Sequence, residues 1–359
     1  MMRKVKVGII GVGGIANGKH MPSLAKLDNV EMVAFCDIIK ERAVEGAKKY
    51  GVSNAKVFTD YRELLAEKDI EVVHVLTPND SHAKISIAAL EAGKHVMCEK
   101  PMAKTAAEAR AMVEAHKRTG KKLTVGYQSR SMPESLYLKK MCDNGELGDI
   151  YFAKAIALRR RGVPTWGVFL DKEKQGGGPM IDIGTHSLDL TLWLMNNYEP
   201  ESVMGSVFYK LRGTKNAANE WGSWDPEKFT AEDSAFGYVK FKNGATVIIE
   251  TSWALNILDL GSGATVLCGT KAGADFHEGL RINGERNGSL YINQIKVNPW
   301  EREKFRGENL NPFEYEAKQW IESVVNDTEP LVKAEEALVV SEILEAVYKS
   351  AETGKPVYF

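Results

Sequence analysis

Val5-Lys6-Val7-Gly8-Ile9-Ile10-Gly11-Val12-Gly13-Gly14-Ile15-Ala16 is the stretch that decides the fold. Its first six residues are a short, β-branched apolar run, which reads as a buried strand. The strand runs straight into a G-x-G-x-x-G/A pattern, with Ala16 as the small last residue. Gly11 permits a tight turn, Gly13 lets the backbone approach a pyrophosphate, and Ala16 lets the next helix pack close. The free N–H groups and dipole at that helix start favour a diphosphate, with Gly14 and Ile15 beside it. A second strand over residues 31–36 ends at Asp37, an acid about twenty residues past the glycines. Such an acid binds the adenosine ribose hydroxyls and repels a 2′-phosphate. The pattern therefore predicts NAD rather than NADP, with Lys40 and Arg42 nearby as the opposing signal.

Outward from this unit, apolar strand patterns recur at 72–76, 95–98 and 122–125. Helical patterns fall at 20–27, 39–50, 61–67, 81–92 and 106–118. Strict alternation of this kind predicts a doubly wound parallel sheet. After Gly126 the pattern changes. Segments 202–211, 234–241, 246–253 and 264–268 are β-rich, and Asn243-Gly244 is a strong hairpin signal between two of them. This predicts an α/β domain over 1–126 and a second domain over 127–359. The second should be an open, mainly antiparallel sheet with helices on one face. A last helix, about 334–352, is expected to pack back toward the first domain.

The 359 residues carry a formal net charge of −1. That argues against an electrostatic nucleic-acid or polyanion partner. No apolar run approaches the roughly 20 residues of a membrane helix. Met1-Met2-Arg3-Lys4 leads directly into the first strand, so no signal peptide is expected. Cys36, Cys98, Cys142 and Cys268 are scattered, without metal-ligand spacing, and read as reduced thiols of a cytoplasmic protein.

Three further stretches carry chemistry. Thr77-Pro78-Asn79-Asp80-Ser81-His82 and Cys98-Glu99-Lys100-Pro101 fall where parallel strands end, which is where ligands of such sheets bind. Thr77, Asn79, His82, Glu99 and Lys100 are therefore candidate cofactor contacts. An ammonium at Lys100 can also stabilise a developing alkoxide. In Gly176-Gly177-Gly178-Pro179-Met180-Ile181-Asp182-Ile183-Gly184-Thr185-His186-Ser187-Leu188-Asp189, Pro179 suits the first position of a helix. At 3.6 residues per turn, Asp182, His186 and Asp189 share one stripe. A carboxylate one turn from an imidazole can fix its tautomer and raise its basicity. A metal on these three residues is not expected, because Lys100 would supply the positive charge.

Together, the glycine fingerprint, Glu-Lys-Pro and Asp-x-Gly-x-His-x-x-Asp resemble the Gfo/Idh/MocA family of sugar and polyol oxidoreductases along nearly the whole chain. The resemblance implies a Rossmann domain followed by an α/β domain. It also implies catalytic roles for Lys100, His186 and Asp182, and a cis Lys100–Pro101 bond. Within the family, residues 159–167 resemble a subgroup acting on glucosides, which implies oxidation at C3 of a glucosyl unit. Tyr127, Arg161, Trp166 and Asp189 join Lys100, Asp182 and His186 as candidate substrate contacts; Trp166 can stack on a sugar face.

Several alternatives stay open at this point. An NAD-dependent glycosidase would use the same hydride transfer and then eliminate the aglycone. An inositol or polyol dehydrogenase would use the same residues on a free ring. A Rossmann sensor would bind without turnover and would have no need of a proton relay. Burial of an open sheet face against a second copy is expected, giving a homo-oligomer through the C-terminal sheet.

Overall fold

The computed structural model describes residues 3–258, 260, 264–297 and 310–359. Two compact units divide the chain: Met1–Ser131 with Leu310–Leu338, and Met132–Asn309 with Val339–Phe359. The division falls inside the helix Ala334–Thr353.

The first unit is built on six parallel strands: β1 Val5–Ile10, β2 Val30–Cys36, β3 Lys56–Phe58, β4 Val72–Val75, β5 His95–Cys98 and β6 Leu123–Val125. Their spatial order is β3-β2-β1-β4-β5-β6. The order reverses between β1 and β4, whose registers pair Val7 with Val72 and Ile10 with Val75. This reversal creates a crevice at the carboxyl ends of the strands. β4 is buried at every residue, as a strand covered on both faces must be.

The chain returns to this unit with the helix Pro312–Val325. Asn311 starts it through a reciprocal capping box with Glu314, and Pro312 takes the first helical position. Its apolar face puts Ala317, Trp320, Ile321 and Val324 into the same core as Val7, Ile9, Met21 and Phe35. Each such large side chain contributes about 1.5–3 kcal/mol on burial. That gain is what brings so distant a segment back to the first sheet.

Among the described residues, the second unit is built on nine strands: β7 Ile150–Leu158, β8 Pro200–Phe208, β9 Ser234–Phe241, β10 Thr246–Ser252, β11 Thr265–Gly269, β12 Ala272–Asp275, β13 Leu280–Arg286, β14 Ser289–Ile295 and β15 Val357–Tyr358. Their order is β14-β13-β12-β11-β7-β10-β9-β8-β15. Every neighbouring pair is antiparallel except β7 with β10. The hairpin between β9 and β10 turns at Asn243-Gly244, where Gly244 has φ +88° and Asn243 Oδ1 accepts the Ala245 N–H. One face of the sheet packs on the helix Thr185–Met195, whose Leu188, Leu190, Leu192 and Leu194 are buried. Among the described residues, no helix is long and apolar enough to cross a membrane.

Candidate active site

The glycine loop takes the form its sequence requires. Gly11 sits at φ +90°, and a Cβ there would lie 2.7 Å from the carbonyl of Leu76. The equivalent positions at Gly13 and Gly14 have nothing within 4 Å. The loop backbone therefore presents an open face beside the start of the next helix, as diphosphate binding demands. Asp37, at the end of β2, is buried and held by two backbone donors. Its Oδ2 accepts the Val12 N–H at 2.8 Å and its Oδ1 the Ile39 N–H at 2.9 Å. A carboxylate has about four lone-pair sites, so acceptor capacity remains for a ribose diol. Lys40 and Arg42 are exposed. These features fit an NAD molecule.

At the end of β5, Glu99 is enclosed and fully engaged. Its Oε1 accepts from Lys19 Nζ at 2.9 Å and from His20 Nε2 at 2.8 Å, and its Oε2 accepts the Lys100 N–H at 2.9 Å. Burial pushes this carboxyl up, but the charge of Lys19 and the bond from His20 outweigh it. Glu99 lies well below the usual carboxylate range. The Lys100–Pro101 peptide is cis, as the resemblance implied.

His82 lies in the helix Asn79–Glu91 at 1% exposure. Its Nδ1 is 2.8 Å from the Pro101 carbonyl and its Nε2 2.8 Å from the Thr77 carbonyl. Two carbonyl acceptors require two N–H donors, so the geometry calls for the imidazolium. Burial alone would lower its pKa; the adjacent Cys98 and the two carbonyls reverse this and raise it to about 9. His82 thus clamps the end of β4 to the turn after Lys100. Its raised pKa stabilises the fold fully below pH 6.5, its ordinary value, and the contribution is lost as pH rises through about 9. We expect the thermal stability gap between the wild type and His82→Phe to shrink by about 3 kcal/mol between pH 6.5 and 9.5. A pH-independent gap would show that His82 is neutral.

In the second unit the helix begins at Pro179, but Met180–Gly184 is a π-turn and only Thr185–Met195 is regular α-helix. Regular 3.6-residue spacing therefore does not carry across Asp182. The stripe expected through Asp182, His186 and Asp189 is shifted at its first member, for a π-turn bonds i to i+5. Asp182 and His186 are half-buried, and Asp182 Oδ2 accepts the Trp253 indole N–H at 3.1 Å. Asp189 is fully enclosed, as is Tyr127 in the first unit. Arg161 donates to the Arg160 carbonyl and to Asn256 Oδ1. Trp166 is half-exposed and stands edge to face with Trp221, ring centroids 5.0 Å apart. Among the described residues, no group of His, Cys, Asp or Glu is arranged to hold a metal.

The sequence did not point to what lies under the three glycines. A Cβ on Gly177 would stand 2.1 Å from the Tyr348 hydroxyl, and one on Gly178 would stand 2.3 Å from the Glu232 carbonyl. Glu232 is fully buried; its Oε1 accepts from the Tyr348 hydroxyl at 2.7 Å and from the Met180 N–H at 3.4 Å. Burial raises its pKa. The glycines let the helix start lie directly on this pair. Lys19, His20, His74 and Glu316 around Glu99 were equally silent, since nothing in a local pattern announces contacts so distant in sequence.

The parallel order and the glycine cradle define a dinucleotide-binding protein of the Rossmann class. The chain matches the oxidoreductase family with an NAD-binding Rossmann fold over residues 5–127 and that family's C-terminal alpha/beta domain over 139–359. It belongs to the Gfo/Idh/MocA family and is an NAD-binding oxidoreductase. It is 38% identical over 350 residues to D-glucoside 3-dehydrogenase of Escherichia coli, covering 98% of this chain and 96% of that one. Glucose-6-phosphate 3-dehydrogenase of Bacillus subtilis is 28% identical over 361 residues, covering 98% and 97%. Among solved structures, aldose-aldose oxidoreductase from Caulobacter crescentus, complexed with glycerol, superposes with a TM-score of 0.80. It is 25% identical, with 99% and 100% of the two chains covered.

Proposed function

We propose that this protein oxidises the secondary hydroxyl at C3 of a glucosyl unit, giving a 3-oxo-glucoside with the glycosidic bond intact. The end-to-end similarity to a D-glucoside 3-dehydrogenase carries this reading, and a second relative spanning the chain is also named for C3 oxidation of a glucose derivative. Bound NAD supplies the hydride acceptor. The protein's own residues then have the following roles. His186 accepts the hydroxyl proton as the C3 hydrogen leaves with its electron pair. Lys100 stabilises the alkoxide-like oxygen, and its backbone is fixed by Glu99. Asp182 orients His186 and is itself held by Trp253. Arg161 and Trp166 lie on segments suited to bind the sugar. The loop residues Gly11, Gly13, Gly14 and Ile15 hold the diphosphate, Asp37 the adenosine ribose, and Thr77 and Asn79 the nicotinamide half. A homo-oligomer formed through the open face of the second sheet, in the cytoplasm, completes the proposal.

Asp37 implies a cofactor preference. NAD should be favoured over NADP by at least about tenfold, since an opposed buried charge readily exceeds 1.4 kcal/mol. Asp37→Ser should narrow or invert the ratio. Equal affinities in the wild type would contradict the assignment.

Incubation with NAD and a panel of glucosides, free sugars and inositols, read by mass spectrometry, tests the reaction. A loss of two mass units on one carbon of a glucoside is expected. A glucoside deuterated at C2 separates oxidation from hydrolysis. Intact oxo-glucoside that keeps its deuterium supports oxidation, whereas rapid deuterium loss with free aglycone would make the protein a glycosidase.

A further inference from the structure

Five enclosed polar side chains meet in the first unit: Lys19 and His20 after the glycine loop, His74 on β4, Glu99 at the end of β5, and Glu316 on the helix Pro312–Val325. Ala16–His20 is a π-turn, and the two consecutive residues Lys19 and His20 are both buried on it. Lys19 Nζ is 2.9 Å from Glu99 Oε1 and 2.9 Å from Glu316 Oε2, an ammonium between two carboxylates. An ionised carboxylate only accepts, so His20 must donate to Glu99 through Nε2. His20 Nδ1 is 3.2 Å from His74 Nδ1. With His74 donating there, its Nε2 carries no proton, which suits an enclosed atom that has no partner. Burial, then the neighbouring His20 and Lys19, holds His74 well below its ordinary pKa, in keeping with that neutral form. The far oxygen of Glu99 accepts the Lys100 N–H.

We propose that Lys19 is a positioning residue for Lys100: through Glu99 it ties the glycine-loop helix to the backbone of the lysine at the reacting oxygen. The proposal rests on the role assigned above to Lys100. The mechanism is electrostatic. A bond from Lys100 N–H to an anionic carboxylate is roughly twice as strong as one to a neutral acid. The ammonium of Lys19 opposes protonation of Glu99, which burial alone would favour. The charged and titratable groups around Glu99 are Lys19 and His20 from the π-turn, His74 behind His20, Glu316 across Lys19, and Lys100 itself. Without Lys19, Glu99 should take up a proton within the working pH range and loosen its hold on Lys100.

The test uses full-length protein labelled with ¹⁵N-lysine. The Lys100 amide is assigned by its disappearance in Lys100→Arg and followed by NMR from pH 8 to 5. In the wild type and in Lys19→Arg it should not titrate. In Lys19→Gln, whose shorter neutral amide retains donors but no charge, it should show one inflection between about pH 5 and 8. The inflection should vanish in Lys19→Gln/Glu99→Gln. In parallel, kcat of Lys19→Gln should fall about tenfold more than that of the wild type over the same range, while KM for NAD changes less than about threefold. If Lys19→Gln does not fold, Lys19→Gln/Glu316→Gln, which also removes the second carboxylate, should show the same inflection. A non-titrating Lys100 amide in the folded Lys19 variant, or an inflection that survives Glu99→Gln, overturns the link. Failure of the wild type to oxidise any glucoside would overturn the proposed reaction and leave the amide titration readable.

Discussion

Lys100→Met is expected to lower kcat by about 10²-fold or more while NAD affinity stays within about threefold. The lysine follows β5, its backbone N–H is fixed by Glu99, and the adjoining turn is clamped by His82 through the Pro101 carbonyl. Methionine keeps most of the unbranched apolar stem, one atom shorter, and removes the charge and the donors. His186→Ala should cost as much, because it removes the proposed acceptor of the hydroxyl proton. The double variant should lose less than the product of the two if, as proposed, both residues serve one proton transfer. Stopped-flow measurement of NADH formation on the three variants, with NAD affinity measured separately, decides this. Wild-type turnover in either single variant would remove that residue from the chemistry. A fall confined to NAD affinity would make Lys100 a binding residue.

The glycine loop should separate stability from cofactor binding. Gly11→Ala meets two penalties at once. It places a side chain at φ +90° and drives its Cβ to 2.7 Å from the Leu76 carbonyl. Together these should cost about 3 kcal/mol or more. For a unit of this size that lowers Tm by about 6–12 °C. Gly13→Ala should behave differently. Its Cβ enters open space, with no protein atom within 4 Å, so Tm of the NAD-free protein should stay within about 2 °C. NAD affinity should nevertheless fall by at least about tenfold, because the methyl occupies the approach to the diphosphate. Equal NAD affinity in Gly13→Ala and wild type would mean that the diphosphate lies elsewhere.

The legible parts of the sequence were those whose signal is local. β1 and the glycine turn could be read because apolar run, turn and helix start are adjacent in sequence. The same holds for the Asn243-Gly244 hairpin, where turn chemistry and flanking alternation coincide. β7 carries Ala, Lys and Ile without clean alternation, and it sits in the middle of the second sheet, between β11 and β10, so its pattern reflects sheet partners rather than a solvent face. β12 to β14 are rich in Gly, Asn and charged residues and take their pairing from one another. Neither π-turn is legible in the sequence, since a single widened turn leaves no periodic trace in five residues. These two turns carry Lys19, His20 and Asp182, so the places where the helical period fails are also the places where polar groups gather. The tight packing of Gly177 on Tyr348 and of Gly178 on Glu232 depends on residues far along the chain and leaves no local sign.

A glucoside carrying deuterium at C3, incubated with the pure protein and NAD, tests the central claim most directly. The account predicts that the deuterium moves to C4 of the reduced nicotinamide, detected as a one-unit mass gain over ordinary NADH. The glucoside should lose the label, gain a carbonyl at C3 and keep its aglycone. A reduced nicotinamide without deuterium, together with sugar that keeps its label and is oxidised at another carbon, would contradict it.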